Sequence, residues 1–165
     1  MAENENAANQ GEQKVETPEG MQLVVQTIYA KDISFEAPNS PEIFLEQYKP
    51  EINVNLNNRV KDLENNSYEV ELQVTVTSKV GEKTAYIAEV KYGAVFGIKG
   101  IEDEVRGRLL RTFCCEQLFP YVREGISEAV SRGGFPRFVL QPINFNALYE
   151  QAQQQAAQQQ GEANA

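Results

Sequence analysis

Residues 68–77, Tyr68-Glu-Val-Glu-Leu-Gln-Val-Thr-Val-Thr77, carry the clearest structural signal in the chain, because apolar and polar side chains alternate along the whole stretch. A period of two predicts a β-strand with one buried face and one solvated face. A second alternating stretch, residues 86–92, follows a turn at Gly81. The connection is too short for a crossover, so we expect the two strands to pair antiparallel.

Two further strands are predicted upstream. Residues 21–36 are rich in Val, Ile and Tyr, and residues 52–57 alternate apolar side chains with asparagine. A helical turn over residues 41–48 is expected between them. Short connections predict a four-stranded antiparallel meander, and the glycines at 93, 97 and 100 are expected to interrupt the last strand.

The carboxyl-terminal part of the chain has the period of a helix. Acidic residues 102–104 favour the start of a long helix, which ends in a basic turn at Arg132 and is expected to kink at Pro120. Asn144 is a candidate N-cap for a shorter helix that starts at Phe145. Strands followed by helices define an α+β fold.

The two ends differ in composition from the middle. Residues 1–20 are acidic and nearly devoid of large hydrophobes, which predicts a disordered tail. Residues 150–165 form a polar extension rich in Gln and Ala, and leave 21–149 as the folded domain. The first residues lack the pattern of a secretory signal, and no apolar run is long enough to span a bilayer. We therefore expect a cytoplasmic protein without membrane insertion.

The composition excludes several classes of function. Lys and Arg total 15 against 24 Asp and Glu, so a net charge of −9 makes nucleic acid a poor partner. The histidine count is zero, which removes the commonest general base and metal ligand. No phosphate-binding loop or dinucleotide motif is present, so no cofactor or metal is predicted and the chain is not expected to be an enzyme.

The two cysteines, Cys114 and Cys115, are adjacent in sequence. Adjacent cysteines give neither a disulfide framework nor the ligand spacing of a zinc site, and reduced thiols suit the cytosol. Two small apolar residues on a buried helix are the favoured interpretation. A small thiol enzyme that uses either cysteine is the alternative.

Carboxylates are placed along the solvated strand faces, at Asp32, Glu36, Glu69, Glu71 and Glu89. An acid/base pair is conceivable, but such exposed positions give little reason for a shifted pKa. A soluble sheet face is the simpler interpretation. The third is a docking surface, because Ile87 places a bulky hydrophobe beside Glu89.

Aromatic residues lie near connections and helix ends more than in strand centres. Core packing explains most of them, and the rest are candidates to line a groove for extended apolar segments. The residues in question are Phe35, Phe44, Tyr48, Phe96, Phe113, Phe119, Phe135 and Phe138.

Several long strings in the chain resemble the SecB family of bacterial protein-export chaperones, over roughly residues 21–150. They are Ile28-Tyr-Ala-Lys-Asp-Ile-Ser-Phe-Glu-Ala-Pro-Asn39, Leu118-Phe-Pro-Tyr-Val-Arg-Glu124, Val130-Ser-Arg-Gly133 and Phe135-Pro136. The resemblance implies a homotetramer, built as a dimer of dimers. It also implies an ATP-independent holdase in the cytosol, which binds unfolded precursor proteins and passes them to the SecA motor for export.

The resemblance further implies roles for individual residues. The acidic sheet face docks the small zinc-binding tail of SecA, through Asp32, Glu36, Ile87 and Glu89. The strand residues Ala88, Val90 and Tyr92 contribute to subunit association. The client-peptide groove takes the aromatic positions Phe35, Phe44, Tyr48, Phe96, Phe113, Phe119 and Phe135.

One feature departs from the family pattern. SecB-like chains can end in an acidic tail that adds a contact to SecA, whereas the last eight residues here carry a single acid. That contact is left open. A SecB-like chaperone for another client, such as a toxin-antitoxin pair, is the alternative to export.

Overall fold

The computed structural model describes residues 13–14 and 20–163. Among them, the strands form one antiparallel sheet in the order β1-β2-β5-β4-β3. Their bounds are β1 Gln13–Lys14, β2 Gln22–Glu36, β3 Glu51–Asp62, β4 Ser67–Val80 and β5 Lys83–Lys99.

The predicted four-stranded antiparallel sheet is confirmed, with one correction to its strand order. Strands β3, β4 and β5 form a meander, but β2 pairs with β5 instead of β3. The connection over residues 37–50, which includes a 3₁₀ turn at Glu42–Leu45, carries the chain from one edge of the sheet to the other. The resulting order is that of a Greek key.

Strand β5 does not end at its glycines, contrary to the prediction. It continues through Gly93 and Gly97 to Lys99. A Cβ atom added at Gly93 would lie 2.8 Å from ring atoms of Tyr29 on the neighbouring strand. The Tyr29 ring therefore packs directly on the backbone at Gly93. Glycine inside a strand often marks such a close approach.

Strand β2 contains two irregularities in its pairing with β5, at Gln26 and Lys31. Ala30 pairs with Tyr92 and Asp32 pairs with Lys91, so Lys31 is an extra residue on β2. An extra residue of this kind is a β-bulge, which changes the face to which the following side chains point.

Three helices follow the sheet among the described residues: α1 Asp103–Arg111, α2 Phe113–Arg132 and α3 Phe145–Ala163. The break in the long helix lies at Thr112 and not at Pro120, which is inside α2. Thr112 leaves the helical region, with φ −115° and ψ −84°, and its hydroxyl donates to the Arg108 carbonyl oxygen at 2.8 Å. A threonine hydroxyl that bonds back in this way competes with the helix backbone and favours a bend.

Helix α2 packs on the inner face of the sheet and closes the core. A Cβ atom added at Gly125 would lie 3.0 Å from a methyl of Val90, so the helix approaches β5 closely here. The largest fully buried side chains come from β4, β5 and the helices: Tyr86, Phe96, Phe145, Leu72, Ile98, Leu118, Ile126, Val70, Val74, Val76, Val90 and Val122.

The ends of the domain differ in part from their prediction. Most of the tail over residues 1–20 lies outside the described residues, but Gln13 and Lys14 pair with Val25 and Val24 of β2. The extension that starts at residue 150 is helical as far as Ala163. Asn144 caps α3 as predicted, because its Oδ1 accepts the Ala147 backbone N–H at 3.0 Å.

Candidate functional site

The outer face of the sheet, opposite the helices, brings the predicted docking residues together. Glu36 lies directly opposite Ile87, and Ser34 lies opposite Glu89. Asp32 and Glu36 are exposed, whereas Ile87 and Glu89 are half-buried. We call the surface formed by Asp32, Glu36, Ile87 and Glu89 the acidic surface.

Glu89 is oriented by a neighbouring strand. Its Oε2 accepts a hydrogen bond from Thr75 Oγ1 at 2.8 Å. The bond limits the rotamers of a long side chain before any partner arrives, so less conformational entropy remains to be lost on binding.

Glu69 and Glu71 belong to a different cluster on the same face. Lys31 Nζ lies 2.9 Å from Glu69 Oε1 and also pairs with Glu71, and the Tyr29 hydroxyl donates to Glu69. The hydrogen bonds from Tyr29 and Lys31 hold the pKa of Glu69 below its usual value, and those to Glu71 and Glu69 raise the pKa of Lys31. Burial and the bond to Glu69 raise the pKa of Tyr29 to about 12.

Phe135 is the centre of a group of rings beside the end of α2. Its centroid lies 5.0 Å from those of Phe44 and Tyr86, 6.0 Å from Tyr48 and 6.3 Å from Phe35. We call these five residues the aromatic cluster. Four of them were predicted to line a groove, and Tyr86 was expected only on the apolar face of a strand.

A glycine makes room for the aromatic cluster. A Cβ atom at Gly133 would collide with the ring of Phe35, so Phe35 packs directly on the end of α2.

The cluster is open to solvent at the 3₁₀ turn. Phe44 is 48% exposed, and its neighbour Leu45 is 90% exposed. Sequence reasoning missed Leu45, although the adjacent apolar residues of Ile43-Phe44-Leu45 in a short turn are too many for one buried face. Two large exposed hydrophobes next to a ring cluster form a surface suited to an apolar chain.

The other predicted groove residues lie elsewhere. Phe96 has no exposed surface and belongs to the core. Phe119 is buried and its ring lies 6.0 Å from that of Phe145 on α3, while Phe113 is half-buried against the core. Phe96 does not line a groove because its side chain points to the inner face of the sheet, beneath the helices.

A second surface, lined by both apolar and polar side chains, lies between β3 and α3. A groove of about 340 Å³ opens there, which we call the lateral groove. Its lining is Leu56, Asn57, Asn58, Arg111, Leu148, Tyr149 and Ala152. On the same strand, Ile52 and Val54 are 36% and 44% exposed. The sequence predicted a strand with one apolar face here, and the helices leave that apolar face partly uncovered.

The residues expected at subunit contacts divide into two kinds. Ala88 and Val90 have no exposed surface in the single chain, so their side chains cannot touch a second subunit directly. Tyr92 is half-buried, and its ring lies 5.8 Å from that of Tyr121. Tyr121 and Ile33 are 46% and 52% exposed. Together with Tyr92 they form the exposed apolar surface that lies nearest to the predicted subunit contact.

Both cysteines are free and fully buried. Burial raises the pKa of Cys114, and raises that of Cys115 to about 12. Nucleophilic chemistry requires the thiolate, so these thiols are not suited to a catalytic role. Within residues 13–14 and 20–163, no group of His, Cys, Asp and Glu is arranged to hold a metal ion.

None of the described helices combines the length and the apolar character needed to cross a membrane.

These features define a class of protein. The surfaces it exposes are the open side of the aromatic cluster, the lateral groove and the acidic surface. Its thiols are buried. Such surfaces bind other polypeptides.

Comparison with known proteins identifies the family. Residues 16–156 match the family model for preprotein translocase subunit SecB. A protein-export protein SecB of Alkalilimnicola ehrlichii is 50% identical over 156 residues, which cover 94% of this chain and 80% of that protein. The one of Alcanivorax borkumensis is 53% identical over 142 residues, covering 84% and 88%. The chain belongs to the SecB family and is a protein-export chaperone, not an enzyme.

A solved structure has the same fold. A SecB-like chaperone of Mycobacterium tuberculosis, in complex with a peptide from an antitoxin, superposes with a TM-score of 0.61 and 15% identity. The match covers 74% of this chain and 91% of that one.

Proposed function

We propose that this protein is a holdase that binds unfolded precursor polypeptides in the cytosol without ATP and delivers them to SecA. The observation that carries the proposal is the exposed pair Phe44 and Leu45 at the mouth of the aromatic cluster. Free, buried cysteines support a reducing compartment.

Client binding is explained by several weak apolar contacts. The aromatic cluster accepts large side chains, and the lateral groove lies beside β3, an edge strand whose outward backbone groups are available to an extended chain. A client that reaches more than one groove binds by avidity. Binding to the unfolded state lowers its free concentration and delays folding with no input of chemical energy.

Polar substitution at the 3₁₀ turn tests client binding. We expect Leu45→Asp to weaken binding of a reduced, unfolded precursor roughly tenfold, because it places a charge where an apolar side chain should dock. Leu63→Asp is the matched control, since Leu63 is 39% exposed at the β3–β4 turn, outside the aromatic cluster. Equal affinities of the two variants in a fluorescence titration would contradict the proposed client site.

The acidic surface is proposed to dock the zinc-binding tail of SecA. Three carboxylates guide a basic peptide to the sheet, and Ile87 supplies an apolar contact among them. The zinc belongs to the partner.

Charge reversal tests the docking of SecA. Glu89→Lys should weaken binding of the zinc-loaded tail peptide by roughly 1–3 kcal/mol while precursor binding stays intact. Glu64→Lys, an exposed change at the β3–β4 turn, is the matched control. Unchanged affinity of Glu89→Lys in titration calorimetry would exclude the acidic surface as the SecA site.

Assembly into a homotetramer, as a dimer of dimers, is also proposed. The exposed apolar residues Ile33 and Tyr121, together with Tyr92, supply a surface that a second copy can cover. Ala88 and Val90 are buried and act on association only indirectly, Val90 by packing against Gly125 of α2.

The rival client is an antitoxin, like the one whose peptide the Mycobacterium tuberculosis chaperone binds. Deletion of the gene separates the two functions. Accumulation of uncleaved precursors supports export, and release of a toxin supports the rival.

A further inference from the structure

We propose that Lys31 is a positioning residue for the acidic surface: its ion pairs across Gly93 hold the β-bulge that turns Asp32 to the outer face. The proposal rests on the docking of a basic peptide at that surface. Lys31 and Gly93 themselves lie outside the acidic surface.

The bulge determines where Asp32 points. Ala30 pairs with Tyr92 on the inner face, and in a regular strand Lys31 would point outward and Asp32 inward. The extra residue places Lys31 and Asp32 on the same outer face, so that Asp32 lies opposite Lys91. Loss of the bulge would turn Asp32 away from Glu36 and Glu89, or flip the residues upstream of it.

Lys31 is fixed from two strands away. Its Nζ crosses β5 and pairs with Glu69 and Glu71 on β4. Its side chain is 31% exposed and those of the two carboxylates are only 14% and 16% exposed, so the pairs are sheltered from water. Sheltered charge pairs with two partners hold a side chain more firmly than a single exposed pair.

Gly93 leaves room on β5 for the side chains that join β2 to β4. The ring of Tyr29 lies over its backbone, where a Cβ atom would be 2.8 Å away, and the Tyr29 hydroxyl reaches Glu69. Tyr29 and Lys31 therefore hold the same carboxylate from positions on both sides of Ala30. The backbone just before Asp32 is thus tied to β4 at two points.

The cluster also confines the negative charge of the face. Lys31 pairs with both Glu69 and Glu71, whose cross-strand partners are Lys61 and Arg59, so three cations lie beside two carboxylates at this end of the face. The other end of the face has three carboxylates, Asp32, Glu36 and Glu89, against Lys91 opposite Asp32, and is therefore net negative. A basic peptide would be attracted to that end only.

The charge and the positioning role of Lys31 predict opposite results, which makes the test sharp. Lys31→Met removes a positive charge from the face, so electrostatics alone would tighten binding of the basic zinc-loaded tail peptide. Positioning predicts binding about fivefold weaker, because Asp32 is no longer held outward. Lys61→Met is the matched control: it removes a neighbouring cation outside the bulge and should bind at least as tightly as the parent protein.

A double-mutant cycle identifies the residue through which Lys31 acts. In an Asp32→Asn background, Lys31→Met should not weaken binding any further, whereas in a Glu89→Gln background its fivefold loss of affinity should persist. Lys31→Arg, which keeps the charge and the ion pairs, should restore binding. Unfolding midpoints of all variants establish that the fold is retained.

The outcomes separate this inference from the proposed function. If Glu89→Lys abolishes peptide binding while Lys31→Met leaves it unchanged or tighter, the positioning role is wrong and the docking surface stands. If Glu89→Lys has no effect, the docking surface itself is wrong.

Discussion

At the scale of single residues, environment separates groups that look alike in sequence. Glu69 and Glu89 both alternate with apolar residues on a strand, yet Glu69 is bound by a lysine and a tyrosine whereas Glu89 accepts one hydroxyl. Of these two carboxylates, only Glu69 is held in an ion pair. The second keeps its charge available to a partner.

The lowered pKa of Glu69 predicts a contribution to acid stability. The folded state favours its ionised form, so the contribution is present above the ordinary value of 4.5 and is lost as the pH falls through the lower folded value. Glu69→Gln should therefore lower the stability at about pH 6 by up to about 1 kcal/mol, and by less at about pH 4. Urea unfolding at both pH values measures the difference, and an equal loss at both would contradict the assignment.

Burial of the cysteines predicts resistance to alkylation. Because the pKa values of both thiols are raised, the native protein should react with iodoacetamide at about pH 8 far more slowly than the urea-unfolded chain. Mass spectrometry after timed quenching measures the two rates. Rapid modification of the native protein would show that α2 opens.

At the scale of elements, local breaks are set by side-chain contacts more than by residue type. Pro120 lies inside α2, while Thr112, a residue without a strong breaking tendency, separates α1 from α2. Gly93 likewise lies within a strand, because its missing side chain admits the Tyr29 ring.

Two glycines should respond in opposite ways to alanine. Gly93→Ala should destabilise the protein by about 1–3 kcal/mol, because the added methyl collides with Tyr29. Gly107→Ala, inside α1 with no atom within 4 Å of the added methyl, should stabilise it by about 0.5–1 kcal/mol. Urea unfolding compares the variants, and a neutral Gly93→Ala would mean that Tyr29 moves aside at no cost.

At the scale of the whole molecule, the proposed binding surfaces lie on both faces of one sheet. The acidic surface is on the outer face, and the aromatic cluster and the lateral groove lie on the helical side and its edge. Under the proposed function, a client and SecA therefore need not compete for the same residues. This separation is what a delivery chaperone requires.

The assembly surface is tested by adding charge to it. Tyr121→Glu combined with Ile33→Glu should shift the mass in light scattering from four chains towards fewer, because two charges would be buried between subunits. The pair Leu63→Glu and Val139→Glu changes equally exposed apolar residues elsewhere and should leave the mass unchanged. A parent protein that scatters as a single chain would refute the proposed tetramer.

Periodicity and the family motifs were sufficient to predict the α+β class, the four antiparallel strands and the face shared by Ile87 and Glu89, because these depend on side-chain alternation within one strand. Family membership followed from strings that are themselves local. The position of β2 beside β5, and hence the cross-strand pairing of Glu36 with Ile87, was decided only by the tertiary structure.

The tertiary structure also decided the close approach of Tyr29 to Gly93, the bulge at Lys31 and the aromatic cluster around Phe135. Each joins residues that are distant along the chain, and their contacts depend on strand register and helix placement. Local patterns specify which face a side chain takes. They do not specify which distant side chain it meets there, because that is settled by the packing of the whole core.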